Sequence, residues 1–158
     1  MKARAVDGIE PDSGLAQAAR RIVAVRVAEL YALAIPALDE RDPTALHDLR
    51  IAAKRLRYVL EIVGFCLDDS AAHATTQVRE LQTLIGAIHD VDVLLVRIDA
   101  SRRAHPKGMR WLAVRLREQR AGRFAQFAAM WAEIEATELQ RRLIGATNPS
   151  PDEVPMGA

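Results

Sequence analysis

The spacing of apolar side chains along the chain predicts long α-helices and no β-strand. Apolar residues recur every three or four positions, which is the period of a helix with one buried face. Four such segments are predicted, at about residues 15–38, 43–66, 72–99 and 109–143. Because short connections between long helices favour antiparallel neighbours, we expect an all-α protein built as an antiparallel up-and-down four-helix bundle.

The ends of the chain differ from its middle. Residues 12–145 contain the helical pattern and are predicted to form the bundle, with Asp12 or Ser13 capping the first helix. Residues 1–11 are expected to be a flexible N-terminus. Residues 146–158, which are rich in Pro, Asn, Ser and Gly, are expected to be a disordered tail.

Composition is that of an ordinary globular domain. The chain has 158 residues, about half of them apolar, and a net charge of only +1. No apolar run approaches the roughly 18 residues of a membrane span, and the first residues do not resemble a signal peptide. The single cysteine, Cys66, fits a reducing compartment. We therefore expect a cytoplasmic protein with no membrane partner.

The second predicted helix carries four basic side chains on one flank, His47, Arg50, Lys54 and Arg57, which we call the basic stripe. At about 100° per residue they fall within one quadrant, and the first acid along them is Glu61 at the far end. Arginine and lysine in such a row could line a groove for a multiply charged anion. A solvated basic face is the alternative, and spacing alone favours it.

The fourth predicted helix places Arg120 and Arg123 on the same face as its apolar residues. Guanidinium groups on a core-facing surface cost free energy unless they are paired or solvated. Either these side chains extend outward, or the bundle has a basic interior cleft. In the second case, they would form a cationic row facing the basic stripe.

Two segments resemble the CHAD domains, the conserved-histidine α-helical domains. Residues 46–58 read Leu-His-Asp-Leu-Arg-Ile-Ala-Ala-Lys-Arg-Leu-Arg-Tyr, similar to a signature helix in which histidine precedes Leu-Arg-Val and an Arg-Arg-Leu-Arg run. Residues 84–95 read Leu-Ile-Gly-Ala-Ile-His-Asp-Val-Asp-Val-Leu-Leu, similar to the family's Leu-Gly-x-x-Arg-Asp-x-Asp-Val-Leu stretch. The resemblance covers about residues 15–143.

The resemblance implies a non-enzymatic helical domain that binds inorganic polyphosphate through a basic surface, without a cofactor or metal. It also allows association with polyphosphate granules. His89 stands where the family usually has arginine, so its charge depends on pH. By position, the implied binding residues are His47, Arg50, Lys54, Arg55, Arg57, His89, Arg120 and Arg123.

The full-length family form contains two such bundles related by a pseudo-twofold axis, whereas this chain has one. A homodimer could restore the missing half through an isologous contact. Ile51, Tyr58, Ile62 and Phe65 form an apolar line beside the basic stripe that could take part in this contact. Alternatively, this apolar line packs on another helix of its own bundle.

Metal-dependent phosphohydrolysis is one competing hypothesis. The dipeptides His47-Asp48 and His89-Asp90 are similar to those of the HD superfamily, which holds a metal between helices. Such chemistry needs a cluster of ligands around an activated water. After Asp99 the next aspartate is Asp152, so the ligand set is incomplete.

Nucleic-acid binding and a purely structural adaptor are the other competing hypotheses. Basic clusters suit any phosphate backbone, but single-strand binders usually add aromatic side chains that stack on bases. Trp111 is the only plausible one, and its position also suits packing. Nucleic acid is therefore disfavoured. An adaptor would show no salt-sensitive anion binding.

Overall fold

The computed structural model describes residues 2–10, 12, 14–67, 70–101 and 106–145. Within these residues the chain is all-helical and contains no strand, which confirms the predicted class. The helices are α1 (Leu15–Ala37), α2 (Pro43–Val63), α3 (Ser70–Ser101), α4 (Pro106–Ala136) and α5 (Leu139–Gly145), with a 3-10 turn at Gly64–Cys66. The predicted tail, residues 146–158, lies outside the described residues.

No helix in the described part of the chain is long and apolar enough to cross a membrane.

Each of the first four helices packs on the next one along the chain, so α3 lies between α2 and α4. In the described residues, the backbones of α2 and α4 do not approach each other. The short α5 packs on α1, α3 and α4. Any surface feature of α2 is therefore bordered by α3 on one side and by α1 on the other.

The core is formed by the predicted apolar faces. Side chains from all five helices are fully or almost fully buried in it, including Val27, Leu30, Leu49, Leu56, Leu81, Ile85, Ile88, Phe127, Trp131, Ile134, Leu139 and Leu143. Burying one such side chain stabilises the folded state by about 1.5–3 kcal/mol. Because Leu49 and Leu56 point into this core, the opposite surface of α2 faces solvent.

The fourth predicted helix is broken, contrary to the prediction of one helix over 109–143. α4 ends at Ala136, and Glu138 adopts a left-handed backbone conformation with φ 53°. The sequence does not indicate this break, since residues 136–139 contain no glycine or proline. The break lets Leu139 become buried and lets the Gln140 N–H donate to the Tyr31 hydroxyl at 3.2 Å. These tertiary contacts offset the cost of the left-handed residue.

The start of α2 agrees with the sequence prediction, whereas the start of α1 differs from it. Asp42 caps α2 by accepting hydrogen bonds from the N–H groups of Thr44 and Ala45, and Pro43 occupies the first turn. At α1 the N-cap position is held by Gly14 without a side-chain cap, so the prediction that Asp12 caps this helix is wrong. Ser13, the other predicted cap, lies outside the described residues.

The N-terminal segment, residues 2–10, has no regular secondary structure but contacts α1. The Arg4 N–H donates to Glu29, and the Arg4 carbonyl accepts from Arg26 at 2.7 Å. The Asp7 carbonyl accepts from Arg21 at 2.9 Å. The backbone of the segment is thus hydrogen-bonded to α1 side chains at two positions, Arg4 and Asp7.

Candidate functional site

The basic stripe lies on the flank of α2 that faces α3. At one end, the His47 ring lies beside the His89 ring of α3, with 5.1 Å between centroids. At the other end, Glu61 of α2 lies 3.7 Å from Arg57 and 2.9 Å from Arg79 of α3. These two contacts bracket the strip of surface between the two helices, which we call the α2–α3 groove.

Two cations in the middle of the basic stripe carry uncompensated charge. Neither Arg50 nor Lys54 has a carboxylate within 4.0 Å among the described residues. The Lys54 ammonium lies 5.7 Å from the centroid of the Tyr58 ring, and the Arg57 guanidinium lies 4.6 Å from it. Such cation–π contacts hold a charge in position without neutralising it. The stripe is therefore an electropositive row rather than a network of ion pairs.

Two nitrogens of the basic stripe are buried without a hydrogen-bond partner among the described residues. They are His47 Nδ1 and Arg57 Nε. Because most buried polar atoms in proteins are hydrogen-bonded, these two nitrogens are unused hydrogen-bonding groups next to the α2–α3 groove. The guanidinium nitrogen is always a donor, and the imidazole nitrogen is one when it carries the proton.

The His47 end of the α2–α3 groove opens into a cavity of about 410 Å³. Its walls come from the start of α2 and the second half of α3: Pro43, Thr44, His47, His89, Asp92, Val93, Val96 and Arg97. Arg97 is exposed and has no carboxylate within 4.0 Å in the described ranges. Together with the two imidazoles it adds potential positive charge to an otherwise apolar recess.

Arg120 is held by two carboxylates of the fold. Its side chain is 14% exposed, and its Nε donates to Asp92 Oδ1 at 2.5 Å. Its Nη1 donates to Glu40 Oε1 and its Nη2 to the Glu40 carbonyl, each at 3.2 Å. Two carboxylates thus balance its charge, which explains how a guanidinium lies on the inward face of α4.

Arg123 is also hydrogen-bonded within the fold, because its Nη1 donates to the Ala87 carbonyl of α3 at 2.8 Å. Arg120 reaches the cavity that His47 and His89 line through Asp92, whereas Arg123 bonds α3 from the α4 side. Both guanidinium groups are thus engaged by groups of the fold itself.

Arg55 lies on the opposite flank of α2, towards α1. Its guanidinium is 3.1 Å from Glu29, a carboxylate only 2% exposed that also pairs with Arg26 at 2.6 Å. The Arg4 N–H donates to the same carboxylate at 3.2 Å. Arg55 therefore belongs to a buried charge cluster that joins α1, α2 and the N-terminal segment, away from the α2–α3 groove.

The apolar line of α2 is not covered by another helix. Tyr58 is 44% exposed, Ile62 69% and Phe65 77%, while Ile51 is half-buried. The alternative that this line packs within its own bundle therefore fails for three of its four side chains. An exposed apolar row beside a charged one is typical of a contact surface.

The described residues contain no group of three or more His, Cys, Asp or Glu side chains placed to hold a metal ion. Asp92, next to His89 in the cavity wall, is engaged by Arg120. In the described part of the chain, the two His-Asp dipeptides are therefore not joined by a third candidate metal ligand.

Sequence reasoning missed the residues of α3 that border the groove. Helical spacing places Arg79, Gln82 and Gly86 on the same flank as His89, three to ten positions earlier. This helical spacing can be read from the sequence. However, only the contact between His47 and His89 shows which flank of α3 faces α2.

Comparison with known families gives one match, to the CHAD domain, over residues 2–99. The matched range contains α1, α2 and nearly all of α3, including both halves of the α2–α3 groove, and ends before α4. Neither the curated proteins nor the solved structures provide a match. More than half of the chain, including its basic stripe and the paired histidines, lies within the family match, and the protein belongs to the CHAD domain family.

Proposed function

We propose that this protein binds inorganic polyphosphate along the α2–α3 groove, without catalysing a reaction on it. The observation that carries the proposal is the uncompensated charge of Arg50 and Lys54 in the middle of the basic stripe. That stripe lies on a helix within the matched CHAD domain. Family membership is consistent with a polyphosphate-related role, and the groove supplies the cations for it.

The chemistry of the groove suits a chain of phosphates. A guanidinium presents paired donors to phosphate oxygens and an ammonium adds a compact charge. Each phosphate that is neutralised releases condensed counterions, so binding to a linear polyanion weakens as salt rises. Arg50 and Lys54 are held by the helix one turn apart, so both can contact one extended chain.

Purified protein titrated with polyphosphates of graded length at two salt concentrations tests the proposal. We expect tighter binding to longer chains and a steep loss of affinity at the higher salt. Arg50→Ala and Lys54→Ala should each weaken binding and reduce the salt slope by about one. Arg141→Ala, which removes an exposed arginine of α5 paired with Glu138, is the matched control and should do neither. Equal salt slopes for all four proteins would contradict the proposal.

The same titration separates polyphosphate from the competing ligands. If RNA displaces long-chain polyphosphate at equal phosphate concentration, the groove is a general nucleic-acid surface and the proposal is wrong. Phosphatase or triphosphatase activity that is lost both in His89→Ala and on adding a chelator would show an enzyme instead. An adaptor would show no salt-sensitive anion binding.

We also infer that α2 runs antiparallel to α3, and α3 to α4, as in an up-and-down bundle. The early residue His47 contacts the late residue His89, while Glu61 contacts Arg79. Likewise, Asp92 bonds Arg120 in the middle of α4, and the earlier residue Gln77 bonds Thr137 just beyond the end of α4 at 3.3 Å. This order matters for function because it aligns the basic stripe with one flank of α3 along most of its length.

We propose that the exposed apolar line forms the contact of a homodimer. Tyr58, Ile62 and Phe65 are available on the surface beside the basic stripe, so an isologous contact there would bring two stripes close together. Light scattering should show a dimer that Ile62→Asp converts to a monomer. A monomeric parent protein that binds polyphosphate tightly would contradict the dimer while leaving the binding site intact. In the cell we expect the protein in the cytoplasm, in contact with polyphosphate granules.

A further inference from the structure

The cavity at the His47 end of the α2–α3 groove lies where α3 extends beyond the start of α2. The ring contact between His47 and His89 sets the register of the two helices. α2 begins at Pro43, about one turn before His47, whereas α3 continues from His89 to Ser101. In the antiparallel order inferred above, the last turns of α3 therefore have no part of α2 beside them, and the cavity lies at this step.

Apolar carbon forms most of the cavity wall. Pro43 contributes from α2, and Val93 and Val96 contribute from α3, where they are 36% and 71% exposed. The volume of about 410 Å³ is within the range of roughly 300–1,000 Å³ that is usual for small-molecule sites. A bare phosphate chain gains nothing from an apolar wall, whereas an organic ring would bury apolar surface against it. The wall therefore favours a ligand that carries such a ring.

The charges around the cavity suit an aromatic ring. Asp92, a carboxylate of the wall, is balanced by Arg120, which also bonds Glu40 in the loop before α2. Arg97 lines the same cavity, is exposed and has no carboxylate within 4.0 Å in the described ranges. A guanidinium is planar and stacks on aromatic faces. The cavity thus combines apolar walls with one planar cation that is free to stack.

His47 belongs both to this cavity and to the basic stripe. Arg50 and Lys54 follow it by three and seven residues on the same flank of α2. At 1.5 Å per residue, they lie roughly 5 Å and roughly 10 Å from His47 along the helix axis. A ligand with a ring in the cavity can therefore extend a phosphate chain past His47 to the uncompensated cations of the stripe.

We propose that the cavity binds an aromatic ring joined to a phosphate chain, as in a nucleoside triphosphate. The ring packs against Val93 and Val96 and is stacked by Arg97, while the phosphates pass His47 towards Arg50. No bond is formed or broken. The phosphate half of this inference rests on the proposed function, and the cavity adds to it a preference for phosphates that carry an organic ring.

ATP and tripolyphosphate, titrated separately at equal pH and salt and without divalent cations, test this preference. Tripolyphosphate carries at least as much negative charge as ATP, so charge alone gives ATP no advantage. We expect ATP to bind about tenfold more tightly, the equivalent of about 1.4 kcal/mol, because its ring buries apolar surface in the cavity. Equal or tighter binding of tripolyphosphate would overturn the cavity proposal.

A substitution in the apolar wall locates the ring. Val93→Asn replaces an apolar surface with a neutral polar one, and it should weaken ATP binding about fivefold while changing tripolyphosphate binding by less than about twofold. Val114→Asn, at an exposed valine of α4 outside the cavity, is the matched control and should alter neither affinity. Thermal unfolding checks that both variants are folded. An unchanged ATP affinity in folded Val93→Asn would show that the ring lies elsewhere.

Arg97→Lys tests the stacking cation, because it keeps the positive charge and removes the planar group. ATP affinity should fall several-fold and tripolyphosphate affinity should not. An equal loss for both ligands would make Arg97 a phosphate contact and contradict the stacked ring. If long-chain polyphosphate shows salt-sensitive binding but ATP has no advantage over tripolyphosphate, the cavity proposal is wrong and the proposed function stands. If ATP binds in a Val93-dependent way but polyphosphate does not bind, the proposed function fails and the cavity remains.

Discussion

His47 and His89 stand ring to ring, with 5.1 Å between their centroids, and join the signature helix α2 to α3 at the mouth of a cavity. Asp92 and Arg97 line the same cavity. The ring contact therefore places one side chain of each helix at the His47 end of the α2–α3 groove.

His89→Arg should bind polyphosphate more tightly than the parent, because a guanidinium is always charged and presents paired donors to phosphate oxygens. The neighbouring carboxylate in the cavity wall, Asp92, is already engaged by Arg120. Titrations of both proteins at the same pH and salt concentration measure the effect. Equal affinities of the parent and His89→Arg would contradict a role for this position.

Arg120→Ala should lower stability more than it lowers binding. The change leaves the half-buried Asp92 and the Glu40 side chain without their shared guanidinium. Removing one partner of such a hydrogen-bonded charge pair costs about 1–3 kcal/mol. Denaturant unfolding should show this loss, while the polyphosphate affinity of the folded protein changes little. A loss of affinity as large as that of Arg50→Ala would instead place Arg120 in the site.

Glu29→Gln should destabilise the whole domain. The Glu29 carboxylate accepts from Arg26, Arg55 and the Arg4 N–H in a buried cluster. Neutralising it leaves buried guanidinium charge unpaired, which typically costs about 3–5 kcal/mol. Urea unfolding followed by circular dichroism measures the change. Arg141→Ala, at an exposed ion pair, should shift the free energy of unfolding by less than about 1 kcal/mol.

Tyr31→Phe tests the attachment of α5 to the domain. The Tyr31 hydroxyl accepts from the Gln140 N–H, and its ring packs edge-on against Trp131 at 5.1 Å. Losing this hydrogen bond should lower the free energy of unfolding by about 1 kcal/mol at neutral pH. Amide exchange at the start of α5 should also become faster, because this turn loses its anchor.

Ionisation of Tyr31 should lower the stability of the protein at alkaline pH. Burial raises the pKa of the Tyr31 hydroxyl above that of a free phenol, against the lowering effect of the Gln140 hydrogen bond. A raised pKa means that the folded protein holds the proton more strongly than the unfolded chain. This contribution is present below about pH 10 and is lost as the pH rises through the higher pKa of the folded state. In Tyr31→Phe the decline in stability above about pH 10 should be smaller.

The sequence by itself determined the helical class, the start of α2 at Asp42-Pro43 and the position of the basic stripe. These follow from local rules: the period of the apolar residues, the geometry of a helix cap and the angle between successive side chains. The CHAD resemblance was also available from the residues of α2 and α3 alone. All of these properties depend on neighbours in the chain.

Tertiary structure decided which cations remain free. Residue type alone does not distinguish Arg50 from the other arginines, Arg55, Arg120 and Arg123. However, Arg120 meets Asp92 and Glu40, Arg123 meets the Ala87 carbonyl, and Arg55 meets Glu29. All four of these contacts join residues separated by 26 to 80 positions, and no local pattern predicts them. The basic stripe stays electropositive because packing supplies partners to these other arginines, whereas no carboxylate of the described residues lies within 4.0 Å of Arg50 or Lys54.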